Sequence, residues 1–332
     1  MFESASRLGE GERDDAGVPL TRAELSWMGE VSRRGGVPVS FGLTQHDSRP
    51  DLYERVVAFA KEENATGAMV RPQTTARSVG VLHSLDTFTP FDRAPAWREW
   101  RAAAGGREAG AATRARLIEA ADEMPGRIDP WQLFVVNQPG GARYDLDPQC
   151  SLGAEAERRG VSAAAAYLEL VLESDGTVVV TYPFLNQRLD AVERMLDDPL
   201  VTLGLADAGA HVGQILDASQ PTFLLTYWVR ERGRWSVEEA VRRLTSDTAD
   251  LFGILDRGRL EPGRFADVNV IDWDRLHLPA PAYVYDFPHG AGRYVQRATG
   301  YDLTMVNGRV AVQDGEHTGE FAGMVLRNHA GM

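Results

Sequence analysis

Cysteine is almost absent from this chain. The one cysteine, Cys150, rules out an internal disulfide and fits a reducing compartment, so a cytoplasmic location is the expectation. It sits in a Pro-Gln-Cys-Ser loop. A nucleophilic or ligating role is one reading of it, and an inert loop thiol is the plainer one. Positive charge is also short: 35 Lys and Arg against 48 Asp and Glu give a net charge of −13. That excludes a basic footprint, and with it nucleic acid as a partner. Lysine is scarce while Arg, Ala and Gly are abundant, a compositional bias without functional weight. No apolar run approaches the roughly 20 residues of a membrane span. The start, Met-Phe-Glu-Ser-Ala-Ser-Arg, has neither a basic leader nor an apolar core, so no secretory signal is expected. Repeats and long low-complexity tracts are missing too.

What is present reads as a globular protein. The 332 residues suit one large domain or two ordinary ones, and 43% hydrophobic with 25% charged residues is soluble-protein composition. Residues 5–20 read as a loop. Leu25, Met28 and Val31 mark one face of a helix over 21–34, which Gly35-Gly36 ends. An apolar run over 37–45 predicts a buried strand, 51–63 an amphipathic helix, and 68–73 a second strand. This alternation implies a parallel sheet with crossover helices.

The middle is less regular. Residues 83–96 read as a loop, 97–123 as mostly helical, 131–137 as a strand, and 139–153 as a turn-rich insert. Two helices follow over 154–160 and 162–172, then a strand over 177–182 and a helix over 189–196. The run 201–205 is a buried strand leading into Ala206-Asp207-Ala208-Gly209-Ala210-His211. Ser236, with Glu239 three residues on, forms a capping box. Val237, Ala240, Val241, Leu244 and Leu251 give the apolar stripe behind it. Parallel-type strands are thus expected at 37–45, 68–73, 177–182 and 201–206, about half of the eight that close a (β/α)₈ barrel. Trp97, Trp100, Trp131 and Trp228 are expected in the core.

Two late runs carry the most specific signals. In Gly258-Arg-Leu-Glu-Pro-Gly-Arg-Phe-Ala-Asp267, Pro262 and Gly263 predict a type II turn, feeding a strand over 266–271. In the second, Asn307-Gly308 between Leu303-Thr-Met-Val306 and Arg309-Val-Ala-Val312 predicts a tight hairpin. Each alone fits any small sheet. In this order they resemble the C-terminal sheet of metal-dependent amidohydrolases, and within that superfamily the branch of D-aminoacylase and the N-acyl-D-amino-acid deacylases. Leu203-Gly-Leu-Ala-Asp207 resembles the family's eighth strand, which ends in a catalytic Asp, with Ala206 in place of a common Ser. The segment 238–253 and the stretch from Asp286-Phe-Pro-His-Gly-Ala-Gly-Arg293 to Gly300-Tyr301 also resemble family segments. The resemblance runs from about residue 37 to 327.

It implies an α/β fold: the second half of an amidohydrolase (β/α)₈ barrel over 1–257, with an insert near 83–172, and a β-sandwich-like segment over 258–332. It implies hydrolysis of an amide-type C–N bond by metal-activated water, zinc being the family's usual metal. Asp207 would be metal ligand and proton acceptor, although from spacing alone it equally caps the next turn. His211 would shuttle a proton or orient Asp207; the alternative is a satisfied loop histidine.

The departures from the family pattern are as informative. The chain has no His-x-His pair. Where the family's strands five and six each present a His, this chain ends in Thr44-Gln45-His46-Asp47 and Arg71-Pro72-Gln73. His46 is the remaining metal-ligand candidate, and Gln73 is assigned a hydrogen bond to substrate or backbone. The family's carboxylate-binding Arg shortly after the Asp is missing, the first Arg there being Arg230. Arg71 and Arg77 are the candidates to replace it. His83, His277, His289, His317 and His329 lack partners at metal spacing and read as structural or exposed.

The expected partner is a small-molecule amide, of which N-acyl (D-)amino acids are one class. No membrane partner is expected, and self-association or a missing N-terminal barrel half is. Two other readings stay open: a truncated or non-catalytic remnant or subunit, and a cyclic-amide hydrolase.

Overall fold

The computed structural model describes residues 1–5, 17–104, 108–204 and 208–326. In chain order, β1 (Phe2–Ser4) is followed by α1 (Gly17–Gly35), β2 (Val39–Gly42), α2 (Leu52–Ala65) and β3 (Val70–Thr74). Next come β4 (Val79–His83), α3 (Pro95–Ala104), α4 (Ala111–Asp122), β5 (Phe134–Val135), β6 (Asn137–Gln138) and β7 (Gly141–Ala142). Then follow α5 (Leu152–Arg159), α6 (Ala163–Glu173), β8 (Val180–Leu185), α7 (Leu189–Asp197) and β9 (Thr202–Leu203). A helix starts as α8 (Gln220–Phe223) and widens into a π-helical stretch, Leu224–Glu231, before α9 (Val237–Leu244) and α10 (Ser246–Phe252). The rest is strand: β10 (Val268–Ile271), β11 (Ala282–Val284), β12 (Arg293–Val295), β13 (Tyr301–Val306), β14 (Arg309–Gln313) and β15 (Glu316–His317).

One sheet positions everything that follows. Its order is β1-β2-β3-β9, and every neighbouring pair is parallel. Strand, helix, strand alternation over 37–74 therefore gives the parallel sheet that the hydrophobic pattern predicts. One face is apolar because alternate residues point the same way. Val39, Phe41 and Val70 are fully buried and share one core with Leu25 and Met28 of α1, Val56 and Ala60 of α2, and Val192 and Met195 of α7. Burying each such side chain contributes about 1.5–3 kcal/mol. Val31 does not join them; it is exposed at the helix's outer side.

Two strand expectations need correction. The run 177–182 is not in the parallel sheet. Its strand, β8, pairs antiparallel with β4 and β5 in a separate sheet. Composition made it a strand, but only its long-range partners fix direction. Residues 79–83, not singled out as a strand, supply one of those partners, β4. The fourth parallel strand is instead Phe2–Ser4, which pairs along β2 from Phe2↔Val39 to Ser4↔Phe41. The 37–45 segment is consequently an interior strand, flanked by β1 and β3, and not a sheet edge.

The segment between β4 and β8 builds its own core. Phe91, Trp97, Trp100, Leu117, Leu133, Leu152, Tyr167 and Val180 pack together there. Trp97 and Trp100 anchor it by donating their indole N–H groups to the Leu117 and Glu108 carbonyls, both at 2.8 Å. Residues 83–96 are not all loop, since Pro95 opens α3. The expected strand over 131–137 is broken: a 3₁₀ turn over Pro130–Gln132 precedes β5. Asp129 drives that turn, its carboxylate accepting from the Trp131 N–H. Trp131 is 43% exposed and not a core residue. Trp228 is buried as expected.

Local signals held well elsewhere. Ser236 Oγ accepts from Glu239 N at 3.1 Å, the N-cap half of the capping box. Behind it Ala240 is buried, but Val237 and Val241 are exposed. The Glu261 carbonyl accepts from Arg264 N across Pro262-Gly263, with φ +89° at Gly263, as a type II turn requires. Strands β10, β13, β14 and β15 form an antiparallel sheet. Asn307 (φ 51°) and Gly308 (φ 77°) make its two-residue turn, with Val306 opposite Arg309. A Cβ at Gly308 would meet nothing within 4 Å, so the cost of a side chain there is backbone strain alone. Gly308→Val places a β-branched residue at positive φ, which costs about 1–3 kcal/mol. A melting temperature lower by several degrees is expected, and an unchanged melt would remove the argument. No described helix is long and apolar enough to cross a membrane.

Candidate active site

The C-terminal ends of the parallel strands gather the polar residues. Strand β9 continues to Gly204, whose N–H donates to the Thr74 carbonyl at 2.8 Å. Ala206 and Asp207 lie outside the described residues. The chain is described again from Ala208, and residues 208–211 are exposed. His211 has φ +47°. Its carbonyl accepts from Gln214 N at 2.7 Å and Ile215 N at 3.0 Å, folding the segment into a tight turn. Leu82 N then donates to the Gln214 carbonyl at 2.7 Å, and Tyr294 N to the Val212 carbonyl at 2.9 Å. The segment after Asp207 is thus bracketed by β4 and β12.

The second face of the parallel sheet is polar. Register puts Glu3 beside Ser40 and Ser40 beside Arg71, and two residues further along Gln73 beside Thr202. Side-chain alternation places all five on the face opposite Val39, Phe41 and Val70. Gln73 Nε2 donates to Glu3 Oε1 at 2.6 Å. Gln73 Oε1 lies 2.5 Å from where a Cβ on Gly204 would stand. Any side chain at 204 would displace it, so Gly204 is what lets Gln73 lie next to the strand that leads to Asp207. Glu3 is a residue that sequence reasoning missed. Only the pairing of β1 with β2 reveals it.

The candidates do not converge. Arg71, next in line toward the strand starts, donates to its neighbour's Val70 carbonyl at 3.3 Å. It lines a groove of about 490 Å³ with Pro38, Met69, Thr202, Arg243 and Asp250. Pro38 and Met69 precede β2 and β3, and Val201, Thr202 and Leu203 line the groove as well, so it runs from the strand starts along β9 to the residue before Gly204. Arg77 is 2% exposed. Its guanidinium stands 3.5 Å from the Asp217 carboxylate and 3.9 Å from the Tyr144 ring centroid, and donates to the Leu216 carbonyl at 2.6 Å. That engagement leaves it no open face for a substrate carboxylate.

His46 is exposed, and its Nδ1 accepts from Ser48 N at 3.1 Å. The inward position at this strand end belongs to its neighbour. Gln45 is fully buried and exchanges two hydrogen bonds with Asn186, each 2.8 Å: Gln45 N to Asn186 Oδ1, and Asn186 N to the Gln45 carbonyl. Asn186 Nδ2 also donates to Thr74 Oγ1 at 3.2 Å and Thr75 Oγ1 at 2.9 Å. A side-chain amide joining strand ends 141 residues apart leaves no local pattern, so the sequence gives no sign of it. Among the described residues no three His, Cys, Asp or Glu side chains are placed to hold a metal. They do not fit a complete metal centre by themselves. Burial pushes the Cys150 thiol up, with Asp145 and Asp147 adding to the effect. It stays protonated and is a poor nucleophile.

The model of the amidohydrolase family matches residues 14–312. D-aminoacylase of Alcaligenes xylosoxydans xylosoxydans is 36% identical over 157 residues, covering 43% of this chain and 30% of that protein. A 5-methylthioadenosine/S-adenosylhomocysteine deaminase of Natronomonas pharaonis is 27% identical over 321 residues, covering 93% of this chain and 68% of that protein. A solved D-aminoacylase, described as having a binuclear metal centre, superposes with a TM-score of 0.53 at 19% identity, over 97% of this chain and 55% of its own. The chain therefore spans about half the length of that structure, and its matches span only 29–33% of several curated relatives.

Proposed function

Since the chain belongs to the amidohydrolase family, we propose that it is the later portion of a hydrolase that cleaves an amide-type C–N bond, with Asp207 as its proton-handling carboxylate. The observation that carries this is the parallel sheet. Its last strand runs through Gly204, three residues before Asp207, and the segment after it is tied to β4 and β12. A carboxylate just past a parallel strand is where (β/α)₈ enzymes place catalytic groups. In this reading the four parallel strands are part of a barrel, and β10, β13, β14 and β15 belong to a sandwich-like flanking sheet. The remaining strands come from residues outside this chain, either a preceding segment or a second polypeptide.

Within the site, Asp207 would take the proton released as water adds to the substrate carbonyl and return it to the nitrogen as the C–N bond breaks, with His211 assisting the transfer. Gln73, held by Glu3, would offer its amide to the substrate. A bound divalent metal would supply activated water in this family chemistry. Most of its ligands are assigned to the completing segment, since the described residues do not form the centre. The substrate class is a small amide, with N-acyl amino acids first because of the D-aminoacylase relatives. The deaminase relative keeps hydrolytic removal of an amino group from a ring carbon as a second reading.

The isolated 332-residue chain is the test. A catalytic zinc site takes about three protein ligands. After dialysis against chelator and then zinc, the chain should retain far less than one zinc per molecule. It should also self-associate at micromolar concentration through β1 and β9, the outer strands of an unclosed sheet. Co-expression with a first-half amidohydrolase polypeptide should give a heterodimer with amidase activity. Stoichiometric zinc in an ideal 36.5 kDa monomer would overturn this reading.

A further inference from the structure

We infer that Arg71 is a specificity-determining residue: its guanidinium takes a free carboxylate on the substrate, so the amide cleaved is one that carries an acid group close to the scissile bond. The inference deepens the hydrolase reading above and rests on it. Arg71 and Gln73 stand at alternate positions of β3, so both side chains leave the same face of the sheet, about 6.6 Å apart along the strand. The groove of about 490 Å³ contains Arg71 and extends to Leu203. Leu203 is the neighbour of Gly204, whose missing side chain leaves room for Gln73 Oε1. In an N-acyl amino acid only the α-carbon and the amide nitrogen separate the carboxylate from the acyl carbonyl. Two side chains spaced in this way can bracket that unit, the acid at Arg71 and the amide toward Gln73.

Charge inside the groove singles out Arg71. The other charged residues that line it are engaged. Asp197 accepts from Arg234, Asp250 accepts from Arg259 at 2.6 and 2.8 Å, and Asp247 stands 3.5 Å from Arg242. Arg243 donates to the Leu196 carbonyl at 2.6 Å and to Glu239 at 3.0 Å. Glu3 lies in the same cross-strand row as Arg71 but accepts from Gln73. Among the described residues Arg71 has no carboxylate partner. Its one side-chain bond, to the Val70 carbonyl at 3.3 Å, leaves most of its donors unused. It is half-buried, so its guanidinium is partly stripped of water without being paired. An arginine with a structural role is paired within the chain, as Arg77 is with Asp217. A planar guanidinium left open in this way suits a carboxylate, which it can hold through two parallel bonds. Pro38, Met69, Pro199, Val201 and Leu203 supply an apolar wall. The volume is that of a small-molecule pocket, so the rest of the ligand is compact and apolar.

Every residue named in the groove belongs to this chain, so the full chain by itself is the test. It should bind N-benzoylglycine with a Kd of roughly 1 mM, and the neutral N-benzoylglycinamide at least tenfold more weakly. Arg71→Gln should bring the acid down to the level of the amide, with the melting temperature within a few degrees of the unmutated protein. Arg71→Lys should keep part of the preference, since it retains the charge but not the fork. Met69→Trp is a second variant, at a position 37% exposed where a larger side chain fills the groove without entering a core. It should lose both ligands. Equal binding of acid and amide, acid binding undiminished in Arg71→Gln, or no acid binding by the unmutated chain overturns the inference. In the completed enzyme Arg71→Gln should raise KM for the acid at least tenfold and leave turnover of the neutral amide unchanged. Absence of any amidase activity in the unmutated enzyme sinks the hydrolase reading instead, and the binding measurement still decides the role of Arg71.

Discussion

Asp207→Asn in the completed enzyme is expected to lower kcat by about 10²–10⁴-fold, the usual contribution of a positioned acid–base group. The change is close to isosteric. It creates no cavity, so the transfer and cavity terms that make core truncations expensive do not arise. What it removes is the carboxylate's ability to accept a proton at neutral pH. The surrounding anchors are independent of residue 207: Gly204 bonds to Thr74, Val212 to Tyr294, Gln214 to Leu82, and Leu216 to Arg77. The variant should therefore melt with the unmutated protein and show the same hydrogen exchange in β3. Turnover of N-acyl amino acids is the measurement, with zinc content assayed in parallel. A near-normal kcat would falsify the assignment of Asp207, and proton transfer would then have to be sought at Glu3 or His211.

Acid is expected to destabilise the chain through one buried histidine. His83 ends β4 and is 5% exposed; among the described residues neither ring nitrogen reaches good hydrogen-bond geometry, with the Phe88 and Thr89 backbone groups beside it. Its ring packs edge-on against Phe88 at 4.7 Å. Burial lowers its pKa from 6.5 to about 4, with the Asp92 carboxylate opposing the effect. The unfolded chain takes up a proton near pH 6.5, while the folded chain resists until about pH 4. Between those values the unfolded state binds more protons, so stability rises with pH across the window and is lost as pH falls through it. The gap corresponds to about 3 kcal/mol at most. His83→Leu removes both poorly bonded ring nitrogens, so it should stabilise the protein at neutral pH as well. Urea melts of both proteins at pH 7, 5.5 and 4 give the comparison. Equal pH slopes in the two would show that His83 does not titrate in this way.

How much of this was legible depended on the range of the cause. The type II turn at Pro262-Gly263, the hairpin at Asn307-Gly308 and the cap at Ser236 each arise within a few residues, and all three stand as read. The crossover pattern over 37–74 was legible because hydrophobic period encodes both element type and buried face. The 177–182 strand was legible as a strand but not by direction, since its partners begin 45 residues upstream at Phe134–Val135 and further back at Val79–His83. The site shows the same division. Asp207 stood out because it follows an apolar strand in a Gly-rich turn. Gln73 was singled out by its place at a strand end, but its partner Glu3 was invisible until β1 paired with β2. Gln45 went unread beside its more conspicuous neighbour His46.

The sequence by itself determined the element types over 37–74, the parallel character of those strands, the terminal turns, the lack of an internal disulfide and the family. These follow from periodicity, turn chemistry and motif, all written within short windows. Tertiary structure decided which strands share a sheet and which arginine is accessible. It also decided which strand-end amide turns inward. Arg77 shows the reason most plainly. From the sequence it is a free guanidinium four residues past the end of the 68–73 strand. In the fold Asp217, Leu216, Ser219 and Tyr144, brought from 67 to 142 residues away, surround it, and its terminal nitrogens donate to Leu216 and Ser219. Burial and partner choice are properties of contacts between distant segments, and no local pattern carries them.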